Sequence, residues 1–290
     1  MRKRSFVFII LASVLWGTSG IFVHYLAPLG FSSLQMSSVR GTVAAVCFAI
    51  YILIKDRKLF SVSFKDLAVI ALSGIAMYGC GTCYYASMQM TSVSTAVMLM
   101  YTAPVIVMTF SVIFLGEKLT KIKLISLIAM IFGCGFITGV IGGLKFNPAG
   151  ILVGLLSGVS YSTYIIITRI EMQKKINAVT AVFYCFLFMT ILALIAAPPA
   201  PIFETALKEP LKAFPLMIGV GICTSILPYL FYTLSLKHIP AGTAASLAVL
   251  EPMAATLFSV MLLGEKLSLS SVCGIILILG AVLLLSKTND

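Results

Sequence analysis

Ten apolar stretches of about 20 residues succeed one another along this chain of 290 residues, separated by short polar connections. Each is long enough to cross the hydrocarbon core of a bilayer as a helix, which satisfies its own backbone hydrogen bonds in lipid. The sequence therefore predicts an all-α integral membrane protein with about ten transmembrane helices. We number the predicted spans 1 to 10, at residues 6–26, 34–54, 66–87, 92–114, 121–141, 149–168, 178–198, 214–236, 243–263 and 269–286.

The composition supports this prediction and argues against a water-soluble protein. Hydrophobic residues make up 60% of the chain and charged residues only 10%, whereas soluble domains carry about 25% charged residues. A net charge of +11 would suggest nucleic-acid binding in a soluble protein, but here the basic residues lie mostly between the apolar stretches. We therefore expect the chain to reside in a lipid bilayer and to bind no nucleic acid.

The cysteines give no sign of a disulfide framework, because all seven fall inside apolar stretches. Cys80 and Cys83 form a close pair, but no further metal ligands and no redox motif accompany them. A phosphate-binding glycine loop is also absent from the sequence. We therefore predict no metal, no cofactor and no enzymatic activity.

The basic residues predict how the chain is oriented. With the N-terminus in the cytoplasm, the inner segments hold about 15 Lys and Arg residues, and the outer segments about 4, namely Lys145, Lys208, Lys212 and Lys266. Cytoplasmic loops of membrane proteins carry such an excess of positive charge. We therefore expect a multi-pass protein of the plasma (inner) membrane with both termini in the cytoplasm. The basic start at residues 1–4 imitates a signal peptide, but the long apolar run after it predicts an uncleaved first span.

The sequence also repeats itself. The residues Leu-Gly-Glu-Lys-Leu at 115–119 recur at 263–267, an offset of 264 − 116 = 148. The same offset aligns Tyr84 with Tyr232 and Pro104 with Pro252. Near the start of each half the offset is roughly 144, which aligns Trp16 with Ser160. Each half holds five spans, an odd number, so the second half must insert upside down. The sequence thus predicts two inverted five-helix repeats, residues 1–144 and 145–290, around a central cavity.

These residues resemble a known family. Trp16-Gly17 in span 1, Arg40 in span 2, the prolines of spans 4 and 9 and the paired Leu-Gly-Glu-Lys-Leu motifs are similar to the EamA domain of the drug/metabolite transporter superfamily. The resemblance covers essentially the whole chain. It implies a secondary transporter with a cavity lined by spans 1, 3, 4, 6, 8 and 9. Family members include exporters of amino acids and other metabolites, and uptake systems for small organic molecules. Ser160 is a departure, because the resemblance leaves Trp16 without an aromatic counterpart in span 6.

Two charged residues lie inside spans. Glu251, before Pro252 in span 9, carries a carboxylate at a depth where insertion costs several kcal/mol, so it must face the bundle interior or water. Proton coupling or cation binding is one interpretation, and a structural hydrogen bond near Pro252 is the other. Arg40 could bind a substrate carboxylate, but we interpret it as a structural charge, because the resemblance places span 2 outside the cavity wall.

Aromatic residues complete the predicted substrate site. With Glu251 they could form a cage for an amine, although ordinary packing explains aromatic residues equally well. Tyr84 and Tyr232 would reach the site from opposite halves. Glycines and prolines in the same spans, among them Gly79, Gly81 and Pro228, predict kinks. The predicted substrate-binding residues are Trp16, Tyr84, Tyr101, Tyr161, Tyr232 and Glu251.

The resemblance favours export of amino acids or related metabolites by alternating access, coupled to protons through Glu251. Uptake or exchange of an organic amine or quaternary ammonium compound is the alternative that a carboxylate among aromatic rings suggests. A passive channel or a membrane sensor is an alternative of another class. An intramembrane protease would use Ser19, but no histidine lies near mid-membrane to activate it. We expect a small-molecule substrate and a monomer or weak dimer.

Overall fold

The computed structural model describes residues 2–91, 93–139, 147–264 and 266–286, and every regular element in these ranges is a helix. Within them, nine helical segments are long and apolar enough to span a membrane, and the shorter apolar helix at the C-terminal end provides a tenth span. The predicted all-α membrane fold with about ten transmembrane helices is thus confirmed. The predicted boundary between the repeats, at residues 144 and 145, lies outside the described residues and stays a prediction.

Six of the spans are single helices. Spans 2, 3, 5, 6, 7 and 10 are Ser33–Lys55, Phe64–Met90, Lys121–Thr138, Pro148–Gln173, Ala178–Ala196 and Leu269–Ser286. Span 3 continues as one helix through Gly79 and Gly81, where the sequence predicted a kink. A short additional helix, Pro199–Ala206, lies in the connection between spans 7 and 8.

The other four spans are interrupted. Spans 1, 4, 8 and 9 consist of Arg2–Gly17 with Ser19–Leu26, Val93–Met100 with Ala103–Phe114, Pro210–Gly221 with a π-helical turn and Leu227–Ser235, and Ala241–Ala248 with Leu250–Leu263. Pro104 and Pro252 each lie in the first turn of the helix that follows the interruption, where a backbone N–H has no acceptor within the helix. Pro228 lies directly after the π-helical turn of span 8. The interruptions in spans 4 and 9 are repeat-related, and both lie near the middle of the span.

The spans pack in pairs, and a two-fold axis that exchanges the two halves would map these pairs onto one another. Span 1 packs on span 8 and span 6 on span 3, while spans 2 and 7, 4 and 9, and 5 and 10 pack on each other. Hydrogen bonds repeat as well: the Ser235 hydroxyl donates to the Ser5 carbonyl oxygen, and the Ser87 hydroxyl donates to the Gly150 carbonyl oxygen, both at 2.9 Å. Ser87 and Ser235 are related by the offset of 148 seen in the sequence, so the contacts show the same duplication as the sequence.

Glycine allows spans 5 and 10, and also spans 4 and 6, to approach closely. A Cβ atom at Gly274 in span 10 would lie 2.5 Å from the carbonyl oxygen of Gly133 in span 5. A Cβ atom at Gly158 in span 6 would lie 2.9 Å from the carbonyl oxygen of Leu99 in span 4. Small residues at such positions drive helix association in membranes, where backbones must come close for van der Waals contact.

Candidate functional site

A cavity of about 360 Å³ lies between the two halves. This volume falls in the range of small-molecule sites, about 300–1,000 Å³. Its wall includes Val23 at the end of span 1, Ser33 at the start of span 2 and Met88 at the end of span 3, which places its mouth on one face of the bundle. Spans 1, 3, 4, 6, 8 and 9 all contribute to its wall, as the family resemblance implied, and span 2 contributes as well. The wall contains Trp16, Arg40, Tyr84, Tyr161, Tyr229 and Glu251.

Glu251 stands at the interruption of span 9, as the second residue of the helix Leu250–Leu263. The hydroxyl of Tyr101 donates a hydrogen bond to its Oε2 atom at 2.9 Å. Tyr101 itself occupies the interruption of span 4 between the helices that end at Met100 and begin at Ala103. The two repeat-related interruptions therefore meet at this carboxyl group. Glu251 lines the cavity, and Tyr101, which does not line it, donates the hydrogen bond to Glu251.

Arg40 also lines the cavity, and the expectation that it lies outside the cavity wall is wrong. Its guanidinium carbon lies 6.0 Å from the ring centroid of Tyr229, a cation–π distance. Within the described residues no carboxylate lies within 4.0 Å of it, and its Nε atom has no hydrogen-bond partner. The sequence could not place it, because the N-terminal half of span 2 reaches the cavity only through the tertiary arrangement of spans 1 to 3.

The predicted aromatic residues occupy different layers around the cavity. Trp16, Tyr84 and Tyr161 line it. Tyr232 is fully buried behind Trp16, with ring centroids 5.4 Å apart, and does not line the cavity. Tyr101 likewise does not line it but contacts Glu251. Of the two tyrosines expected to reach the site from opposite halves, Tyr84 therefore lines the cavity and Tyr232 does not.

Sequence reasoning missed Tyr229, which joins several parts of the site. Its ring makes an edge contact with Trp16 at a centroid distance of 5.0 Å and also packs against Tyr164 and Phe186. The available signal was its place beside Pro228, one helical turn before Tyr232.

A second pocket lies on the opposite face of the bundle and is closed. Residues from the end of span 6, the start of span 7 and the end of span 8 line it, and it leaves no space for a water molecule. Spans 6, 7 and 8 are the repeat-related counterparts of spans 1, 2 and 3, which form the mouth of the open cavity. The structure is thus open on one face and closed at the symmetry-equivalent place on the other.

Glu117 connects the two halves of the protein on the closed face. Its side chain is only 10% exposed and accepts hydrogen bonds from the backbone N–H groups of Ala241 at 2.7 Å and Gly242 at 3.3 Å. Arg169 of span 6 lies 4.0 Å away and donates to the carbonyl oxygen of Leu236. These contacts join the end of span 4 to the start of span 9. The repeat-related Glu265 lies outside the described residues.

Comparison with known proteins agrees with this architecture. The model of the EamA-like transporter family matches residues 3–139 and again residues 148–287. An uncharacterized transporter of Archaeoglobus fulgidus is 28% identical over 95% of this chain and 94% of its own length. The uncharacterized transporter YwfM of Bacillus subtilis is 24% identical, covering 97% and 93% of the two chains. A solved crystal structure at 17% identity superposes with a TM-score of 0.81 over 98% of this chain and 96% of that one, a likeness in fold.

Proposed function

Because the chain belongs to the EamA-like transporter family, we propose that it is a secondary transporter of small zwitterionic metabolites of the amino-acid class, working by alternating access in the cell membrane. Export is the proposed direction, since the family includes amino-acid exporters. A monomer already encloses the whole cavity, so we propose a monomer or weak dimer. The observation that carries the substrate class is the presence of Arg40 and Glu251 in the wall of one cavity.

Opposite charges in one cavity suit a substrate that carries both charges itself. A guanidinium group binds a carboxylate through parallel hydrogen bonds, and a carboxylate accepts them from an ammonium group. Arg40 has no carboxylate within 4.0 Å among the described residues, and its Nε atom lacks a partner. A substrate carboxylate would supply that partner. Trp16 and Tyr84 would cover the apolar part of the substrate.

The unequal state of the two faces supports alternating access. The mouth between spans 1, 2 and 3 is open, whereas its counterpart between spans 6, 7 and 8 is closed. If spans 1, 2 and 3 close while spans 6, 7 and 8 open, the site becomes accessible from the other side of the membrane. With both termini in the cytoplasm, as the basic residues indicate, the open mouth faces outward. Glu251 would carry the coupled proton, because it stands where the two interrupted helices meet.

The test is counterflow of a radiolabelled amino acid in proteoliposomes, in competition with two analogues of it. One analogue lacks the carboxylate and the other lacks the amine. The parent protein should prefer the intact amino acid over each analogue by roughly 10-fold or more, the value of one charge-assisted hydrogen bond. Arg40→Gln should remove discrimination against the decarboxylated analogue, and Glu251→Gln discrimination against the deaminated one. Glu204→Gln, an exposed change outside the spans, is the matched control.

The outcomes separate the candidate functions. Transport of a quaternary amine with no response to amino acids would refute the zwitterion proposal and favour the amine alternative. That alternative is based on the position of Glu251 among aromatic rings. Proton coupling is tested separately, since Glu251→Gln should retain counterflow but lose accumulation driven by a pH gradient. If counterflow and pH-driven accumulation both persist unchanged in Glu251→Gln, Glu251 is not the coupling residue.

A further inference from the structure

Glu171 is a buried carboxyl group that lies outside the proposed substrate site. It lies in the last turn of span 6, is 1% exposed and lines the closed pocket. Its Oε1 atom has no hydrogen-bond partner among the residues that the structure describes. Thr233 in the wall of the same pocket also has an unpartnered hydroxyl group. Unpartnered buried polar atoms are rare in folded proteins and call for an explanation; a pocket that fills with water in another conformation explains both.

Within the described part of the chain, no positive charge compensates this carboxyl group. The groups that face it are Ser73 of span 3, Cys185 of span 7, Tyr229 and Thr233 of span 8, and Tyr164 and Thr168 of its own helix. The cations nearest in sequence are engaged elsewhere: Arg169 with Leu236 and Glu117, and Lys174 with Asp66 at 3.4 Å. Among the described residues no cationic nitrogen lies within 4.0 Å of Glu171. An isolated ion in such surroundings is strongly disfavoured, so the closed pocket requires the neutral acid.

We propose that Glu171 is a proton-binding residue of the inner gate. It takes up one proton when spans 6, 7 and 8 close around it, and it releases that proton to water when they separate. This inference rests on the proposed alternating access. The closed state then holds one proton more than the open state, so raising the pH favours opening of the inner face.

Cys185 provides a native reporter of this opening, because it lines the same pocket and is 4% exposed. The experiment uses the full chain with the other six cysteines replaced, reconstituted in proteoliposomes and treated with N-ethylmaleimide between pH 6 and pH 8. Each labelling rate is divided by the rate of the same protein unfolded in SDS at the same pH, which removes the ionisation of the thiol itself. An ionised Glu171 would slow the neighbouring thiol, so direct electrostatics act against the expected rise.

The normalised rate should rise several-fold with pH, up to the limit of about 10-fold per pH unit for one linked proton. Glu171→Gln, which resembles the neutral acid, should make the profile flat, and Glu204→Gln should leave it unchanged. A flat profile in the parent protein, or an equal rise in Glu171→Gln, would overturn the role of Glu171 and leave alternating access intact. A Cys185 that is never labelled at any pH would instead overturn both, because the inner face would not open.

Discussion

The contact between Glu117 and the start of span 9 permits a quantitative prediction about the gate. Replacing Glu117 with Ala removes the acceptor for two backbone N–H groups, those of Ala241 at 2.7 Å and Gly242 at 3.3 Å. It also leaves Arg169 without its nearby carboxylate, 4.0 Å away. These contacts join the two halves on the closed face, so we expect their loss to favour opening there.

The magnitude follows from the geometry of the bonds. A hydrogen bond to a charged group contributes about 1.5–3 kcal/mol net. The bond to Ala241 is short and only 10% of the Glu117 side chain is exposed, so we assign it about 2 kcal/mol. The longer bond to Gly242 and the contact with Arg169 add little. A change of about 2 kcal/mol multiplies the open fraction by roughly 30.

The assay is the labelling rate of Cys185 at a fixed pH, which is proportional to the open fraction while most molecules are closed. We expect a rate about 30-fold higher in Glu117→Ala. Glu117→Gln should give a smaller increase, since its amide oxygen can still accept from Ala241. Lys118→Ala, at an exposed neighbouring position, serves as control. Equal rates in Glu117→Ala and Lys118→Ala would show that these bonds do not hold the face closed.

Further predictions concern packing and the substrate site. Gly274→Ala should lower the free energy of unfolding by about 1–3 kcal/mol, because the added methyl meets a backbone oxygen at 2.5 Å; Gly280→Ala, with open space around it, should unfold like the parent in SDS titration. Tyr101→Phe removes the hydrogen bond to Glu251 and should slow counterflow roughly 10-fold without loss of folding; a rate equal to that of the parent would mean that this bond is not used in transport. Arg40→Lys should restore little of the substrate affinity lost in Arg40→Gln, since an ammonium group lacks the planar pair of donors, and full recovery in a competition assay would refute bidentate binding.

The sequence predicted the helices and their duplication well, because both leave local signals. Apolar length alone located ten spans, and a pentapeptide repeated at a fixed offset revealed the two halves. The site was harder to predict, since each side chain reaches it through contacts between distant segments. Arg40 was misplaced because a span number does not say which half of a helix faces the cavity. Glu171 was overlooked because its burial depends on spans 7 and 8 closing over the end of span 6.

The duplicated halves form an unequal site because repeat-related positions carry different residues. The offset of 148 pairs Tyr229 with Gly81, and the offset near 144 pairs Trp16 with Ser160. Where span 1 meets span 8, Tyr229 and Trp16 fill the contact with aromatic rings. Where span 3 meets span 6, Gly79 and Ser160 leave so little room that a Cβ atom at Gly79 would lie 3.3 Å from the Ser160 hydroxyl oxygen. Gly81 lines the open cavity where its counterpart Tyr229 carries a ring. Because one of the two repeat-related contacts between the halves is filled by aromatic rings and the other by small residues, a two-fold scaffold can hold a substrate that has no two-fold symmetry.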